Sequence, residues 1–148
     1  MLFRSEIWTI AGLDAAAAET EAAMRSGVPL IYQAAFFDGR WQGRTDFLRR
    51  IGTPSTLGGY AYEVLDTKLA RQVKPAVVHQ LCLYNRLLAE RQGHEPSHAW
   101  VVLGNGEEVH VDLRRYRALH RHTAARLEGV VDGEPEPVYP EPTAHCAI

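Results

Sequence analysis

The sequence has few of the features that mark specialised classes of protein. It holds only two cysteines in 148 residues, so a disulfide framework is excluded and a reducing, cytoplasmic compartment is expected. It contains no run of about 18 apolar residues, and its first residues lack the apolar core of a signal peptide, so no membrane is expected as a partner. The formal net charge of −2 excludes a grossly basic nucleic-acid coat but leaves room for a local basic patch.

The composition that remains is that of one ordinary globular domain. Hydrophobic residues make up 46% and charged residues 23% of the chain. A chain of this length can bury enough surface to form a core without cross-links. We expect a single domain over residues 1–131, followed by a flexible tail rich in proline and glutamate over residues 132–148.

The hydrophobic pattern predicts a mixture of helices and strands. Helices are expected over residues 14–25 with Asp14 as N-cap, 75–92 and 114–128. Strands are expected over residues 30–37, 40–48, 60–69, 98–103 and 109–113, with turns at Asp38-Gly39 and Gly104-Asn105-Gly106. The order α-βββ-α-ββ-α predicts an α/β fold in which a central mixed five-stranded sheet is flanked by helices.

Two acids and a lysine stand out on physical grounds. Asp66 and Lys68 are two residues apart in a predicted strand, so their side chains project from one face. If the preceding strand pairs with this one, Asp46 and Asp66 converge on one divalent cation. Two carboxylates, a backbone carbonyl and waters suit Mg²⁺ or Mn²⁺. With Lys68 to position or stabilise the nucleophile, the set is suited to hydrolysis of a phosphodiester.

The helix predicted over residues 75–92 adds two polar side chains. Gln80 and Tyr84 are four residues apart and share a face, so both can point toward the same site. Each feature alone has a plainer explanation, because an Asp-x-Lys pair on a strand is usually a solvated salt bridge. Gln80 and Tyr84 alone would be helix surface and core edge. The ordered combination favours a functional site.

The ordered segments GRTDF at 43–47, YEVLDTKL at 62–69 and QLCLY at 80–84 resemble the PD-(D/E)XK nuclease superfamily. Within it the chain is similar to the RecB-like branch, whose signature is Gln-x-x-x-Tyr in the helix after the catalytic strand. IYQA at 31–34, DTKLA at 66–70 and VVLG at 101–104 are similar to bacterial and archaeal RecB-like nucleases, found alone or fused to superfamily I helicases. The resemblance covers roughly residues 15–128 and implies a restriction-endonuclease-like core.

The resemblance implies a role for each matching residue. Asp46, Asp66 and the Thr67 carbonyl would bind the metal, and Lys68 would be the catalytic lysine. Gln80 and Tyr84 would be accessory residues near the metal and the DNA. An acid on the first helix is also common in the family, and Glu21 and Glu19 compete for that place.

The implied activity is that of a metal-dependent DNA nuclease acting on single-stranded DNA or duplex ends, with DNA and a superfamily I helicase as partners. The alternative is a catalytically inactive nucleic-acid-binding module with the nuclease fold. A third interpretation is a structural domain in which Asp66 and Lys68 merely pair.

Several RecB-like nucleases also hold an iron–sulfur cluster with one cysteine before the core and three after it. In this sequence only Cys146 follows the core, in HCAI at residues 145–148, and Cys82 lies in an apolar helical pattern. One thiolate cannot hold a cluster that needs four. We therefore expect a cluster only in a longer chain, of which this sequence would be a fragment or a shortened product.

The remaining motifs are basic clusters and two misleading patterns. Arg71 and Lys74 follow the active strand and are the expected phosphate contacts. The arginines of the last predicted helix are expected to be a solvated face. HEPSH at 94–98 satisfies a zinc-protease pattern literally, but Pro96 predicts an extended connector instead of the required helix. His120 and His122 are expected to be surface residues.

Overall fold

The computed structural model describes residues 10–133, and residues 1–9 and 134–148 lie outside it. Cys146 and nearly all of the predicted tail are therefore outside the described residues. Within the described range the elements, in chain order, are α1 (Ile10–Arg25), β1 (Leu30–Tyr32), β2 (Ala35–Phe37), β3 (Gln42–Arg44), β4 (Phe47–Ile51), β5 (Ala61–Lys68), α2 (Pro75–Gln92), β6 (His98–Leu103), β7 (Glu108–Asp112), a 3₁₀ turn (Leu113–Arg115) and α3 (Arg117–Asp132).

Five of the strands form one mixed sheet in the order β1-β4-β5-β6-β7. Neighbouring strands are antiparallel except β5 and β6, which are parallel. Parallel neighbours need a long crossover, and α2 supplies it. The expectation of an α/β fold with a mixed five-stranded sheet flanked by helices is therefore confirmed.

The prediction for the strands before β5 was wrong in detail. Each of the two long strands expected over residues 30–37 and 40–48 is broken, and β2 and β3 form a separate two-stranded sheet. The break occurs at Gln33, which has φ 53° instead of an extended conformation. Backbone bonds from Gln33 N to Asp46 O (2.8 Å) and from Thr45 N to Ala34 O (2.9 Å) continue across it. The segment is thus one hairpin with a sharp change of direction in the middle.

Two predicted helix boundaries also differ from the structure. The first helix already includes Ile10, so Asp14 lies inside it and is not its N-cap. The last predicted helix is divided into a 3₁₀ turn, in which the Asp112 side chain accepts a bond from Arg114 N, and α3. By contrast, α2 spans Pro75–Gln92 as predicted and ends at Gly93, which has φ 60°.

The core lies between the sheet and helices α1 and α2. Its fully buried members include Met24 of α1, Leu48 of β4, Val64 of β5, Leu88 of α2 and Val101 of β6. Complete burial of such a side chain stabilises the fold by roughly 1.5–3 kcal/mol. Cys82 is also part of this cluster, as predicted, and burial raises the pKa of its thiol to about 11.

The described part of the chain divides into two compact units, residues 10–117 and residues 118–133. The five-stranded sheet, α1 and α2 belong to the first unit, and nearly all of α3 belongs to the second. The prediction of a single domain over residues 1–131 stays a prediction.

Candidate functional site

The carboxyl end of β5 carries two charged side chains on the face that packs against α2. Asp66 follows the buried residues Tyr62 and Val64 on this face and is only 2% exposed, although its side chain is acidic. Its Oδ2 atom forms an ion pair with Lys68 Nζ and has no partner in hydrogen-bond geometry among the described residues. An anion in such a place is costly unless another group balances its charge.

Asp46 reaches the same place from the neighbouring strand. Phe47 pairs with Leu65 in the antiparallel register of β4 and β5, so Asp46 lies beside Asp66. The Asp46 Oδ2 atom accepts two hydrogen bonds from Thr67, from the backbone N–H at 2.8 Å and from the hydroxyl at 2.5 Å. The side chain of Asp46 thus binds a strand N–H at the end of the β4–β5 ladder.

The two carboxyl groups have opposite electrostatic settings. Burial raises the pKa of Asp66, and the Asp46 carboxyl raises it further, whereas Lys68 opposes both. For Asp46, burial also favours the neutral acid, but the two hydrogen bonds from Thr67 and the nearby Lys68 leave its pKa below the usual value. The interaction between the two carboxyl groups raises the pKa of Asp66 and lowers that of Asp46. Such a pair is prepared to accept a positive charge between its members.

Helix α2 lies against this end of the sheet through Tyr84, which is 7% exposed. Gln80 Nε2 donates to Tyr84 Oη at 2.5 Å, so the predicted pair does share one face. Burial raises the pKa of Tyr84, and the nearby Asp66 raises it further. The ring is covered by Gly43 of β3, where a Cβ atom would approach Tyr84 Cδ1 to 2.7 Å.

The structure therefore brings most of the predicted site residues together: Asp46, Asp66, Thr67, Lys68, Gln80 and Tyr84. Arg71 and Lys74 are exposed in the connection from β5 to α2. Glu21, a candidate acid from the first helix, forms ion pairs with Arg91 at 2.9 Å and Arg25 at 3.4 Å, and Glu19 is exposed.

Two arginines near Asp46, namely Arg49 and Arg50, have partners within the fold. Arg49 bridges Glu63 and Glu108 and covers the Trp100 ring, and Arg50 donates to the carbonyl of Gly27.

One residue at the site was missed by the sequence reasoning. Gln33 donates from its backbone N–H to the Asp46 carbonyl and from its side-chain Nε2 to Asp46 Oδ1 at 3.3 Å. Its left-handed backbone typically costs about 1–2 kcal/mol for a residue other than glycine. The only signal for Gln33 in the sequence was its place in the IYQA segment, and the family resemblance of that segment assigned no role to Gln33.

The donor set fits a divalent cation in part. Within residues 10–133 no group of three or more His, Cys, Asp or Glu side chains is arranged to hold a metal ion. Mg²⁺, however, is usually held by one or two protein carboxylates, with waters and substrate phosphates completing its shell. Two adjacent carboxylates, one of them buried with its pKa raised by burial, are a suitable minimal set.

The zinc-protease pattern is not placed on a helix. His94, Glu95 and Pro96 follow the end of α2 in an irregular connection, and His98 begins β6. His98 Nδ1 lies 2.8 Å from Ser97 Oγ, and its ring contacts that of His110. These two histidines line a cavity of about 350 Å³ that contains none of the predicted site residues.

Comparison of the sequence with models of protein families gives no match, and comparison with curated proteins gives none either. None of the helices in residues 10–133 combines the length and apolar character needed to cross a bilayer.

Proposed function

We propose that this protein is a divalent-metal-dependent deoxyribonuclease with a restriction-endonuclease-like core of the RecB-like, PD-(D/E)XK type. The observation that supports this function best is the adjacency of Asp46, Asp66 and Lys68 at the ends of two paired strands. Folding alone gains nothing from burying the Asp66 carboxyl group beside a second acid, which raises its pKa further. A binding site for a cation explains why both are present.

The proposed roles follow from the contacts of each residue. Asp46 and Asp66 would hold Mg²⁺ or Mn²⁺ together with the Thr67 carbonyl, and Thr67 also orients Asp46 through its two hydrogen bonds. When bound, such an ion polarises a phosphoryl oxygen and lowers the pKa of water. Lys68 lies beside Asp66, where its ammonium group can stabilise negative charge on the scissile phosphate. Tyr84, with its partner Gln80, closes the side of the site formed by α2.

The proposed substrate is DNA, either single-stranded or at duplex ends, in the cytoplasm. Arg71 and Lys74 are exposed directly after β5, where they can contact phosphates without reading sequence. Binding should therefore weaken as salt concentration increases. A superfamily I helicase remains the proposed partner, and an iron–sulfur cluster is proposed only for a longer chain that contains Cys146 with further cysteines.

A non-catalytic nucleic-acid-binding module is the alternative, and one observation favours it. Lys68 is engaged with Asp66, and within residues 10–133 no third acid joins Asp46 and Asp66 in an arrangement that could hold a metal ion. If the Lys68–Asp66 ion pair has only a structural role, replacing Lys68 should change the stability of the protein, and the wild type should show no cleavage.

Cleavage of labelled single-stranded DNA by the purified protein tests the proposal. The reaction is run with Mn²⁺, with Mg²⁺ and with chelator, beside Lys68→Met and the surface control Arg126→Met, since Arg126 is exposed on α3 and has no proposed role. Metal-dependent cleavage that Lys68→Met abolishes and Arg126→Met retains would support the nuclease. DNA binding without cleavage under every condition would support the alternative.

A further inference from the structure

Gln33 differs from every comparable position in the described part of the chain. It is the only residue other than glycine with a positive φ between residues 10 and 133, and the other five positions are Gly27, Gly39, Gly58, Gly93 and Gly106. Glycine takes this conformation without steric penalty. If a change of chain direction were all that residue 33 provided, glycine would serve better. The side chain therefore has a use that offsets the strain.

The contacts of Gln33 indicate that use. Its backbone N–H bonds to the Asp46 carbonyl at 2.8 Å, which fixes the main chain of Asp46. Its side-chain amide reaches Asp46 Oδ1 at 3.3 Å, and Thr67 binds the other carboxylate oxygen. The two oxygens of Asp46 thus have different partners, which restricts the rotation of the carboxylate while it lies beside Asp66.

We propose that Gln33 is a positioning residue, which holds the Asp46 carboxylate in the orientation needed to share a divalent cation with Asp66. The inference rests on the proposed function and adds a residue that acts through Asp46 without touching the ion. Supporting groups of this kind typically change metal affinity by about tenfold to a hundredfold when they are removed. The contact between Gln33 and Asp46 depends on the left-handed backbone of Gln33, because this conformation ends β1 at Tyr32 and turns the chain next to Asp46.

Two substitutions separate the effect of the Gln33 side-chain amide from the effect of its strained backbone. Gln33→Gly removes the amide and relieves the strain, whereas Gln33→Met removes the amide, keeps a side chain of similar length and retains the strain. Gln42→Gly is the matched control, since Gln42 is an exposed residue of the ordinary strand β3. A glycine there should lower the melting temperature slightly and leave metal binding unchanged.

The experiment is a titration of the wild type and of each variant with Mn²⁺ in the absence of DNA, followed by electron paramagnetic resonance, with melting temperatures measured in parallel. We expect the Kd for Mn²⁺ to rise about tenfold in both Gln33 variants. The melting temperature of Gln33→Gly should equal or exceed that of the wild type. A residue with a merely structural role would lower stability and metal affinity together.

Unchanged Mn²⁺ affinity in both variants would overturn the inference, as would weakened binding in Gln33→Met alone, which would assign the effect to crowding. Loss of metal binding accompanied by a large fall in the melting temperature of both variants would also overturn it. A wild-type protein that neither binds Mn²⁺ nor cleaves DNA would overturn the proposed function itself, and the role of Gln33 with it. Wild-type activity with unaffected variants would overturn the inference alone.

Discussion

The two ends of strand β5 bury polar groups in opposite ways. At the amino end, Gln92 of α2 is fully buried and satisfies both backbone hydrogen-bonding groups of Tyr62. Its Oε1 accepts from Tyr62 N at 2.8 Å, and its Nε2 donates to Tyr62 O at 3.0 Å. The same Nε2 also donates to His94 O at 3.0 Å. Each of these buried atoms has a neutral partner, so the network costs little and fixes the position of α2 against the sheet.

At the carboxyl end, four residues further along, the Oδ2 atom of Asp66 has no hydrogen-bond partner among residues 10–133. Asp66 lies beside another acid, Asp46, and Lys68 balances its charge. The same strand and the same helix thus form a satisfied network at one end and an electrostatically costly one at the other. This difference is the one expected if the first end serves stability and the second serves the proposed chemistry, and each of the following predictions tests that division.

The largest expected effect is the loss of cleavage in Asp66→Asn. The amide has nearly the same shape but no charge, and it should reduce DNA cleavage roughly a thousandfold. This figure corresponds to several kcal/mol of lost charge stabilisation by the metal. Single-turnover cleavage with Mn²⁺ measures it. Glu63→Gln is the matched control, because Glu63 lies on the same strand but on the opposite face, paired with Arg49. Wild-type cleavage by Asp66→Asn would contradict the assignment.

The next largest effect is expected at the other end of β5, on stability. Gln92→Leu should lower the free energy of unfolding by about 3 kcal/mol, because it leaves the Tyr62 N–H, the Tyr62 carbonyl and the His94 carbonyl without their partner. Urea denaturation measures this change. Cleavage well below the melting temperature should remain near that of the wild type. A variant that is stable but inactive would show that the division between the two ends is wrong.

A third prediction concerns the helix that spans both ends. Gly43→Ala should force the Tyr84 ring to move, because the new Cβ atom would lie 2.7 Å from Tyr84 Cδ1. Overpacking of this kind costs about 1–3 kcal/mol in unfolding free energy. We expect a reduced cleavage rate as well. In Gly52→Ala, the matched control, the Cβ atom meets nothing within 4 Å, so stability and cleavage should not change. Equal behaviour of the two variants would exclude a role for the Tyr84 contact.

The sequence predicted the elements that have regular periodicity. The bounds of α2 are correct because Pro75 and Gly93 mark its ends and apolar residues follow a helical period between them. The position of Asp66 and Lys68 on one face of β5 was also predictable, since strand side chains alternate. Asp46 could be placed beside Asp66 only on the assumption that β4 and β5 are neighbours.

The break in the first hairpin could not be predicted. A residue such as Gln33 adopts a positive φ because of contacts that form only in the folded protein, and no local pattern announces it. The segment from Leu30 to Phe37, which is apolar except for Gln33, therefore predicted one strand where there are two. The contacts of Gln33 in the folded protein are those with Asp46. The break in the strand and the place of Gln33 at the site were therefore missed for the same reason.

The smallest expected effect is a pH dependence that distinguishes the two acids. Burial raises the pKa of Asp66, so the folded protein holds the proton of this carboxyl group more tightly than the unfolded chain does. Asp66 therefore destabilises the fold as the pH increases above 3.8, the ordinary pKa of an aspartic acid. For Asp46, the Thr67 bonds outweigh burial and lower the pKa, so its stabilising contribution is present above 3.8 and is lost as pH falls through the lowered value. Asp66→Asn removes the first contribution, together with the smaller effect of Asp66 on the pKa of Asp46.

The free energies of unfolding of Asp66→Asn and the wild type should therefore be nearly equal at about pH 3.5 and should diverge toward neutral pH, with the variant the more stable. Urea denaturation of metal-free protein at several pH values measures the difference. Glu63→Gln should lose stability at neutral pH, because it breaks an ion pair with Arg49 instead of relieving repulsion. A variant that is less stable than the wild type at neutral pH would show that Lys68 fully compensates Asp66. In that case the carboxyl end of β5 would be as satisfied as the amino end.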